Sequence, residues 1–172
     1  MKKRKIFYLI TRSEPGGAQS HVLELLKGFK DRYEIELATG EEGYLIEEAV
    51  NLGIRIHLIP DLQRNLSLTK DFKAYKEIVS VLKDAKPDLV HCHSSKAGIL
   101  GRLAAHKLGI KSVFTAHGWS FAEGTPLSRK LIGVLPEWLL AYWTDCIITV
   151  SYTHLRAHET RYVISYAVFC LK

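Results

Sequence analysis

Short apolar strands alternate with amphipathic helices along most of this 172-residue chain. The first strand, KIFYLI at positions 5–10, is apolar throughout, which is typical of a strand covered on both faces. A helix pattern follows it, with Val22, Leu26 and Phe29 at helical spacing. Since neighbouring parallel strands are normally connected by a helix, the alternation predicts an α/β fold: a doubly wound, mostly parallel, Rossmann-like sheet with helices on both faces.

The same pattern repeats up to residue 150, with short connections between the elements. We predict strands at 5–10, 33–39, 54–59, 88–94, 111–118 and 146–150, and helices at 18–29, 44–51, 69–84, 95–108 and 127–142. Glu34 and Glu36 alternate with apolar residues in the second strand, which indicates a position near a sheet edge. Thr69 is expected to cap the third helix, and Gly109 to end the fourth.

Charge and composition exclude several classes of protein. The net charge of +6 fits an anionic ligand or a membrane surface, but no basic cluster with interleaved aromatic residues predicts a nucleic-acid partner. The sequence contains no run of eighteen apolar residues, so it does not predict a membrane-spanning helix. The N-terminus begins like a signal peptide but has no small-residue cleavage site, so we expect a cytoplasmic protein. Three cysteines lack disulfide or metal spacing and are expected to be reduced.

The last segment, VSYTHLRAHETRYVISYAVFCLK, shows no period that predicts a helix or a strand. It resembles the translated read-through of a transposase-type sequencing adaptor. We therefore expect one natural domain over residues 1–151 and a non-native tail over residues 152–172. We also expect that a C-terminal half of the natural protein is absent.

Glycines and polar residues collect where the predicted strands end. Gly16 and Gly17 lie between the first strand and its helix, where unpaired amides and the helix dipole attract an anion such as a phosphate. A tight turn that requires positive φ, without any ligand, explains the same two glycines. The motif lacks the spacing of a dinucleotide fingerprint.

Three histidines follow the fourth and fifth strands. His91 and His93 point to the same side of one strand, and His117 ends the next. We predict a buried, hydrogen-bonded role for His91. His117 either anchors its own loop or directs a hydrogen bond into the cleft. Together the three could bind a metal, but no carboxylate completes the set, and we predict no metal and no cofactor.

The helix after the fourth strand carries glycine and alanine along one side. Gly98 and Gly101 each cost roughly 1 kcal/mol of helix propensity relative to alanine. We therefore expect the helix backbone to pack unusually close to its neighbours at these positions.

The segments EPGGAQSHVLELLKGF, KPDLVHCHSSKAGILGRLAAHKLGIKSVFTAHGWSF and TDCIITVS resemble, in order and spacing, the N-terminal domain of family-4 retaining glycosyltransferases of the GT-B fold. Bacterial enzymes that build cell-surface polysaccharides are especially similar. The resemblance implies transfer of a sugar from a nucleotide-diphosphate sugar to a glycan or lipid-linked acceptor, without a metal. It also implies that the donor-binding C-terminal domain is missing, so that this chain alone is inactive.

The resemblance also implies roles for individual residues. Gly16 and Gly17 would form the loop near the donor phosphates and the acceptor, and His117 would lie against the donor sugar. The acceptor side of the cleft would be lined by His93, Ser94, Ser95 and Lys96.

Three other functions remain possible on the same scaffold: a GT-B-fold sugar-nucleotide epimerase, a metal-dependent hydrolase that uses His91, His93 and His117, and a non-catalytic homologue that binds sugar nucleotides or glycans. The segment from Pro126 to Trp143 combines aromatic and basic residues in a pattern found at lipid interfaces. This pattern predicts peripheral membrane contact at the inner face of the membrane, or else an ordinary core helix.

Overall fold

A computed structural model of the chain describes residues 3–117, 138–152 and 164–170. Strands and helices alternate as predicted. They are β1 (Lys5–Ile10), α1 (Gly17–Phe29), β2 (Glu34–Thr39), α2 (Tyr44–Asn51), β3 (Arg55–Leu58), α3 (Leu68–Ala85), β4 (Leu89–His93), α4 (Ser95–Leu108), β5 (Lys111–Ala116), β6 (Cys146–Tyr152) and β7 (Ile164–Cys170).

The strands form one sheet in the order β3-β2-β1-β4-β5-β6-β7. The first six strands are parallel, and β7 pairs with β6 in the antiparallel direction. The predicted doubly wound, mostly parallel sheet is therefore confirmed. The sequence of the tail showed no pattern that predicts a strand, whereas residues 164–170 form β7 at the sheet edge. The backbone of β7 is paired with the edge strand β6, an interaction that does not require a periodic pattern of side chains.

Each face of the sheet has its own hydrophobic core. Phe7 and Leu9 of β1 pack on the side of α3 and α4. Tyr8 and Ile10, which alternate with them, pack on the side of α1 and α2. All four side chains are almost completely buried, which explains why the whole strand is apolar.

Helix α4 lies very close to the sheet. A Cβ atom added at Gly101 would lie 2.5 Å from Sγ of Cys92 and 2.6 Å from Cδ2 of Leu9. A Cβ atom at Gly98 would lie 2.5 Å from the ring of Phe114. The predicted close backbone approach at these two glycines is confirmed.

A buried carboxylate stabilises the β3 end of the sheet. Strand β2 lies one position in from the edge strand β3, and the Glu36 side chain is 2% exposed. Its carboxylate accepts hydrogen bonds from Lys5 Nζ at 2.7 Å and from His57 Nε2 at 2.6 Å. Burial disfavours the charged form, but these two hydrogen bonds and charges outweigh it and lower the pKa of Glu36.

Two helix ends test the capping predictions. Helix α3 begins at Leu68 with Ser67 as N-cap, so the prediction of Thr69 as the cap is wrong by two residues. The Ser67 backbone N–H donates to the Asp71 carboxylate at 3.3 Å, which satisfies that amide from within the helix. Gly109 ends α4 in the left-handed conformation with φ 66°, as predicted. Most of the predicted helix 127–142 lies outside the described residues.

Candidate active site

The loops after β1 and β4 are joined at the carboxyl edge of the sheet. The two strands are neighbours, so Thr11 and Ser94 meet although they are far apart in sequence. Their hydroxyl oxygens are 2.7 Å apart, and the Thr11 backbone N–H donates to Ser94 Oγ at 3.3 Å. Ser94 is held with φ 69°, a conformation that is uncommon for serine. These bonds therefore hold the two loops together beside the strand ends.

A cluster of histidines lies at the same edge of the sheet as these two loops. His93 ends β4, His117 follows β5, and a hydrogen bond of 3.0 Å joins His93 Nδ1 to His117 Nε2. His21, from the second turn of α1, packs edge-on to both rings with centroid distances of 5.7 Å to His93 and 5.1 Å to His117. The cluster thus brings together residues that follow or end the three neighbouring central strands β1, β4 and β5.

Sequence analysis missed His21. It lies four residues after Gly17 and therefore on the same face of α1 as that glycine. The signal that could have found it is therefore the helical spacing from the glycine pair, not a motif.

Burial keeps these imidazoles neutral at pH 7. Removal from water lowers the pKa of His91 to about 3, and that of His117 to about 4. Burial also lowers the pKa of His21 and places the pKa of His93 well below its ordinary value, with the neighbouring histidines adding to the effect on His93. The cluster can therefore donate and accept hydrogen bonds, but it does not supply a positive charge.

Two nitrogens of the cluster remain available. Among the described residues, neither Nε2 of His93 nor Nδ1 of His117 has a hydrogen-bond partner, although both atoms are buried. A buried imidazole nitrogen without a partner costs free energy, which a ligand that bonds to it would recover.

His91 takes no part in this pairing. Its Nε2 lies 2.8 Å from the hydroxyl of Thr115 on β5, and the residue is 7% exposed. The prediction of a buried, hydrogen-bonded His91 is confirmed.

The glycine pair opens α1, as predicted. Gly16 is the N-cap, and no side chain bonds to the first amides from that position. Its φ of 178° is extended backbone that any residue adopts, so positive φ does not explain this glycine. A Cβ atom at Gly16 would lie 2.7 Å from Oε1 of Gln19, a contact that rotation of this flexible side chain would relieve.

Helix α4 presents its first residues at the same edge. Ser94 is its N-cap and Ser95 its first residue. Lys96 reaches away toward α3, where its Nζ lies 2.6 Å from the Asp71 carboxylate and also donates to the Asn65 carbonyl. The structure therefore places His93 against His117 and the two serines at the start of α4, whereas the ammonium group of Lys96 is engaged elsewhere.

A cavity adjoins the loop after β1 on the side of β2 and β3. It has a volume of about 390 Å³, and its lining includes Thr11, Arg12 and Arg64. Arg12 also pairs with Glu41 at 3.3 Å. Arg12 pairs with Glu14 as well, and Glu41 lines the same cavity. Arg64 is therefore the guanidinium group better placed to attract a phosphate or carboxylate group there.

Only the end of the predicted lipid-interface segment is described. Trp138, Leu139, Tyr142 and Trp143 are each between 41% and 64% exposed there. The rest of the segment from Pro126, and Gly118 after His117, lie outside the described residues. Within the described part of the chain, the helices are too short or too polar to cross a membrane.

Comparison with known sequences gives consistent matches. Residues 15–167 match the profile of Glycosyltransferase Family 4. The Escherichia coli enzyme UDP-Gal:alpha-D-GlcNAc-diphosphoundecaprenol alpha-1,3-galactosyltransferase is 37% identical over 125 residues, which cover 72% of this chain and 31% of that protein. The Escherichia coli O-antigen biosynthesis glycosyltransferase WbnH is 32% identical over 148 residues, covering 86% of this chain and 42% of that protein. The chain thus spans about a third to two fifths of the length of these relatives.

Solved structures share the fold at low identity. The crystal structure of Anabaena HepE in complex with UDP-glucose gives a TM-score of 0.64 at 19% identity and covers 83% of this chain and 36% of that one. The UDP-GlcNAc 2-epimerase of Neisseria meningitidis, bound to UDP-GlcNAc, gives a TM-score of 0.60 at 13% identity. The epimerase therefore resembles this chain in fold, whereas the two sequence relatives above are glycosyltransferases.

Proposed function

Because the chain belongs to Glycosyltransferase Family 4, we propose that it forms the N-terminal lobe of a retaining glycosyltransferase of cell-surface polysaccharide biosynthesis. The enzyme would move a sugar from a nucleotide-diphosphate sugar to a glycan or lipid-linked acceptor. The observation that carries this proposal is the neutral His117, held by His93 beside the open N-terminus of α1.

The leaving diphosphate is the first group that the site must stabilise. Negative charge grows on it as the glycosidic bond breaks, and preorganised N–H donors lower that barrier. The first amides of α1, next to Gly16 and Gly17, supply such donors together with the positive end of the helix dipole.

His117 would orient the donor sugar. The sugar becomes cation-like at the transition state, so a positive imidazolium beside it would repel it. Burial holds His117 neutral, and its Nδ1 can exchange a hydrogen bond with a sugar hydroxyl. His93 acts as a positioning residue, because its hydrogen bond fixes the plane of the His117 ring.

The acceptor would enter from the side of β2, β3 and α4. Ser94 and Ser95 offer hydroxyl groups at the start of α4, and the neighbouring cavity offers Arg64. This lining suits an acceptor whose sugar is attached to a phosphate. The Escherichia coli galactosyltransferase named above has a diphosphate-linked acceptor in its name, which supports this choice.

We further propose that transfer needs no metal ion. The divalent cations that commonly bridge diphosphates, Mg²⁺ and Mn²⁺, prefer oxygen ligands. Among the described residues, the one group of side chains arranged closely enough to hold a metal contains imidazoles alone.

The cytoplasmic face of the membrane is the proposed place of action. The exposed aromatic residues at 138–143 would contact the lipid surface on which a lipid-linked acceptor resides. We expect the parent protein to float with anionic vesicles, and Trp138→Ser with Trp143→Ser to reduce the floated fraction. Absence of the wild-type protein from the floated fraction would contradict this part of the proposal.

The test of transfer uses the parent protein, in which these residues would be joined to a donor-binding lobe. We expect donor-dependent sugar transfer with retained anomeric configuration, observed by NMR of the product. His117→Ala is expected to lower kcat by about 100-fold or more, the size of the loss when one polar group at the reacting centre is removed.

His106→Ala is the matched control, because His106 is exposed and outside the cluster. Unchanged turnover in His117→Ala would refute the role of His117. Epimerised sugar nucleotide without transfer would identify an epimerase, and binding without turnover would identify a non-catalytic homologue.

A further inference from the structure

We infer that His21, His93 and His117 form a binding site for one divalent cation of the zinc type, and that an ion bound there withholds His117 from the donor sugar. The second half of this inference rests on the proposed function. The first half concerns this chain alone and stands or falls separately.

The geometry is close to what zinc requires. One ligand nitrogen from each of the three rings lies within 4.8 Å of the others. Tetrahedral zinc with Zn–N bonds of about 2.0–2.1 Å places its ligand nitrogens about 3.3 Å apart. The hydrogen-bonded pair His93 and His117 is already at 3.0 Å. A small rotation of the His21 ring toward this pair completes the approach.

The surroundings of the cluster also favour an ion. His93 is completely buried, and its Nδ1 is held 3.0 Å from Nε2 of His117. The three rings are carried by β4, by the end of β5 and by α1, so their positions are fixed by the sheet and its first helix. A preformed set of neutral imidazoles avoids the cost of ordering flexible ligands.

The ligand type determines which ions fit. Imidazole nitrogen suits Zn²⁺, Co²⁺ and Cu²⁺, whereas Mg²⁺ and Ca²⁺ require oxygen ligands. The hydrolase hypothesis from the sequence used His91 as the third ligand. The structure replaces it with His21, because His91 is bonded to Thr115.

The charges around the three histidines indicate that an ion would bind there reversibly. The group of three contains no carboxylate to neutralise the ion, and the positive end of α1 is near His21. We therefore expect an ion that the protein folds without, and that competes with the donor instead of assisting it. Coordination through Nε2 of His117 would break its hydrogen bond to His93, which positions the His117 ring for the sugar in the proposed function.

The experiment measures metal binding without any sugar nucleotide. The chain carries His154→Gln and His158→Gln, which removes two other imidazoles, and is titrated with Co²⁺ while its visible absorption is recorded. Zn²⁺ and Mg²⁺ are then added as competitors. We expect one ion per chain, displacement by Zn²⁺ and no displacement by Mg²⁺.

Variants locate the ion. His21→Gln and His117→Gln should each weaken binding by more than about 100-fold, beyond the range for losing an outer-shell partner. His106→Gln should leave binding unchanged. Full affinity in His21→Gln or His117→Gln, an absence of binding to the starting chain, or equal displacement by Mg²⁺ would each overturn the inference.

X-ray absorption of the Zn²⁺-loaded starting chain requires no variant at the site. Three imidazole nitrogens in the first shell support the assignment, whereas a sulfur ligand overturns it. In the parent protein, Zn²⁺ should raise the apparent KM for the donor. If transfer is absent but zinc binds as described, the proposed function fails while the metal site remains.

Discussion

Replacing Gly101 by alanine tests how closely α4 approaches the sheet. The added methyl group would lie 2.5 Å from Cys92 Sγ and 2.6 Å from Leu9 Cδ2, whereas ordinary contacts lie at 3.4–4 Å. Both neighbours are completely buried on the central strands β4 and β1. Relief therefore requires α4 to move away from the sheet by about 1 Å, because the two strands cannot yield.

The expected free-energy change is a balance of two effects. Overpacking a buried site costs about 1–3 kcal/mol. Alanine in a helix gains up to about 1 kcal/mol over glycine. Because two rigid neighbours are crowded at once, we expect Gly101→Ala to lower the free energy of unfolding by about 2 kcal/mol.

Gly28→Ala is the matched control. Gly28 lies in α1, and nothing lies within 4 Å of a Cβ atom added there. The same substitution should therefore stabilise the protein by about 0.5 kcal/mol through helix propensity alone. Only the packing environment differs between the two variants.

The assay is urea unfolding followed by circular dichroism, with midpoints compared at equal m-values. Cys92→Ala should relieve part of the Gly101→Ala defect, so that the double variant is more stable than the sum of the single effects predicts. If Gly101→Ala is as stable as Gly28→Ala, the described contact between α4 and the sheet is wrong.

Two further predictions concern stability. Glu36→Gln should lower the free energy of unfolding at pH 7 by about 3 kcal/mol, because Lys5 and His57 lose a buried partner; Glu34→Gln, at the same lysine but half-exposed, should cost less than about 1 kcal/mol. Since the folded pKa of Glu36 is lowered, the wild-type advantage is fully present above the unfolded pKa and should shrink as pH falls from there through the folded pKa. Urea midpoints at pH 7, 5 and 3.5 measure this, and a constant difference would contradict it. Gly40→Ala would drive its Cβ into the Leu62 carbonyl, and we expect a loss of at least about 3 kcal/mol in thermal or urea unfolding; wild-type stability would exclude that contact.

Much of the fold follows from local sequence patterns. The apolar run of β1 and the helical spacing in α1 determine their elements directly, and the bounds of α2 agree residue by residue. The close packing of α4 was predictable because Gly98 and Gly101 lower helix propensity, and close approach of the backbone explains why glycine is present at both positions. Strand β7 was not predictable, since its pairing depends on an edge that another element supplies.

The candidate site was predictable only in part. His93 and His117 end neighbouring strands, so the doubly wound topology alone brings them together. His21 lies at helical spacing from the glycine pair, but its contact with His93 and His117 depends on which face of α1 meets the strand ends. Lys96 illustrates the converse: it occupies the expected position, but the Asp71 carboxylate on α3 holds its ammonium group away from the histidines.

The position of β1 has a consequence for synthesis of the protein. In space β1 lies between β2 and β4, but along the chain about 80 residues separate the end of β1 from the start of β4. While the ribosome makes that stretch, the backbone N–H and C=O groups on the β4 side of β1 have no partner strand and can pair with other chains. Chaperone demand and aggregation during translation should therefore peak before β4 emerges, and fall once it docks.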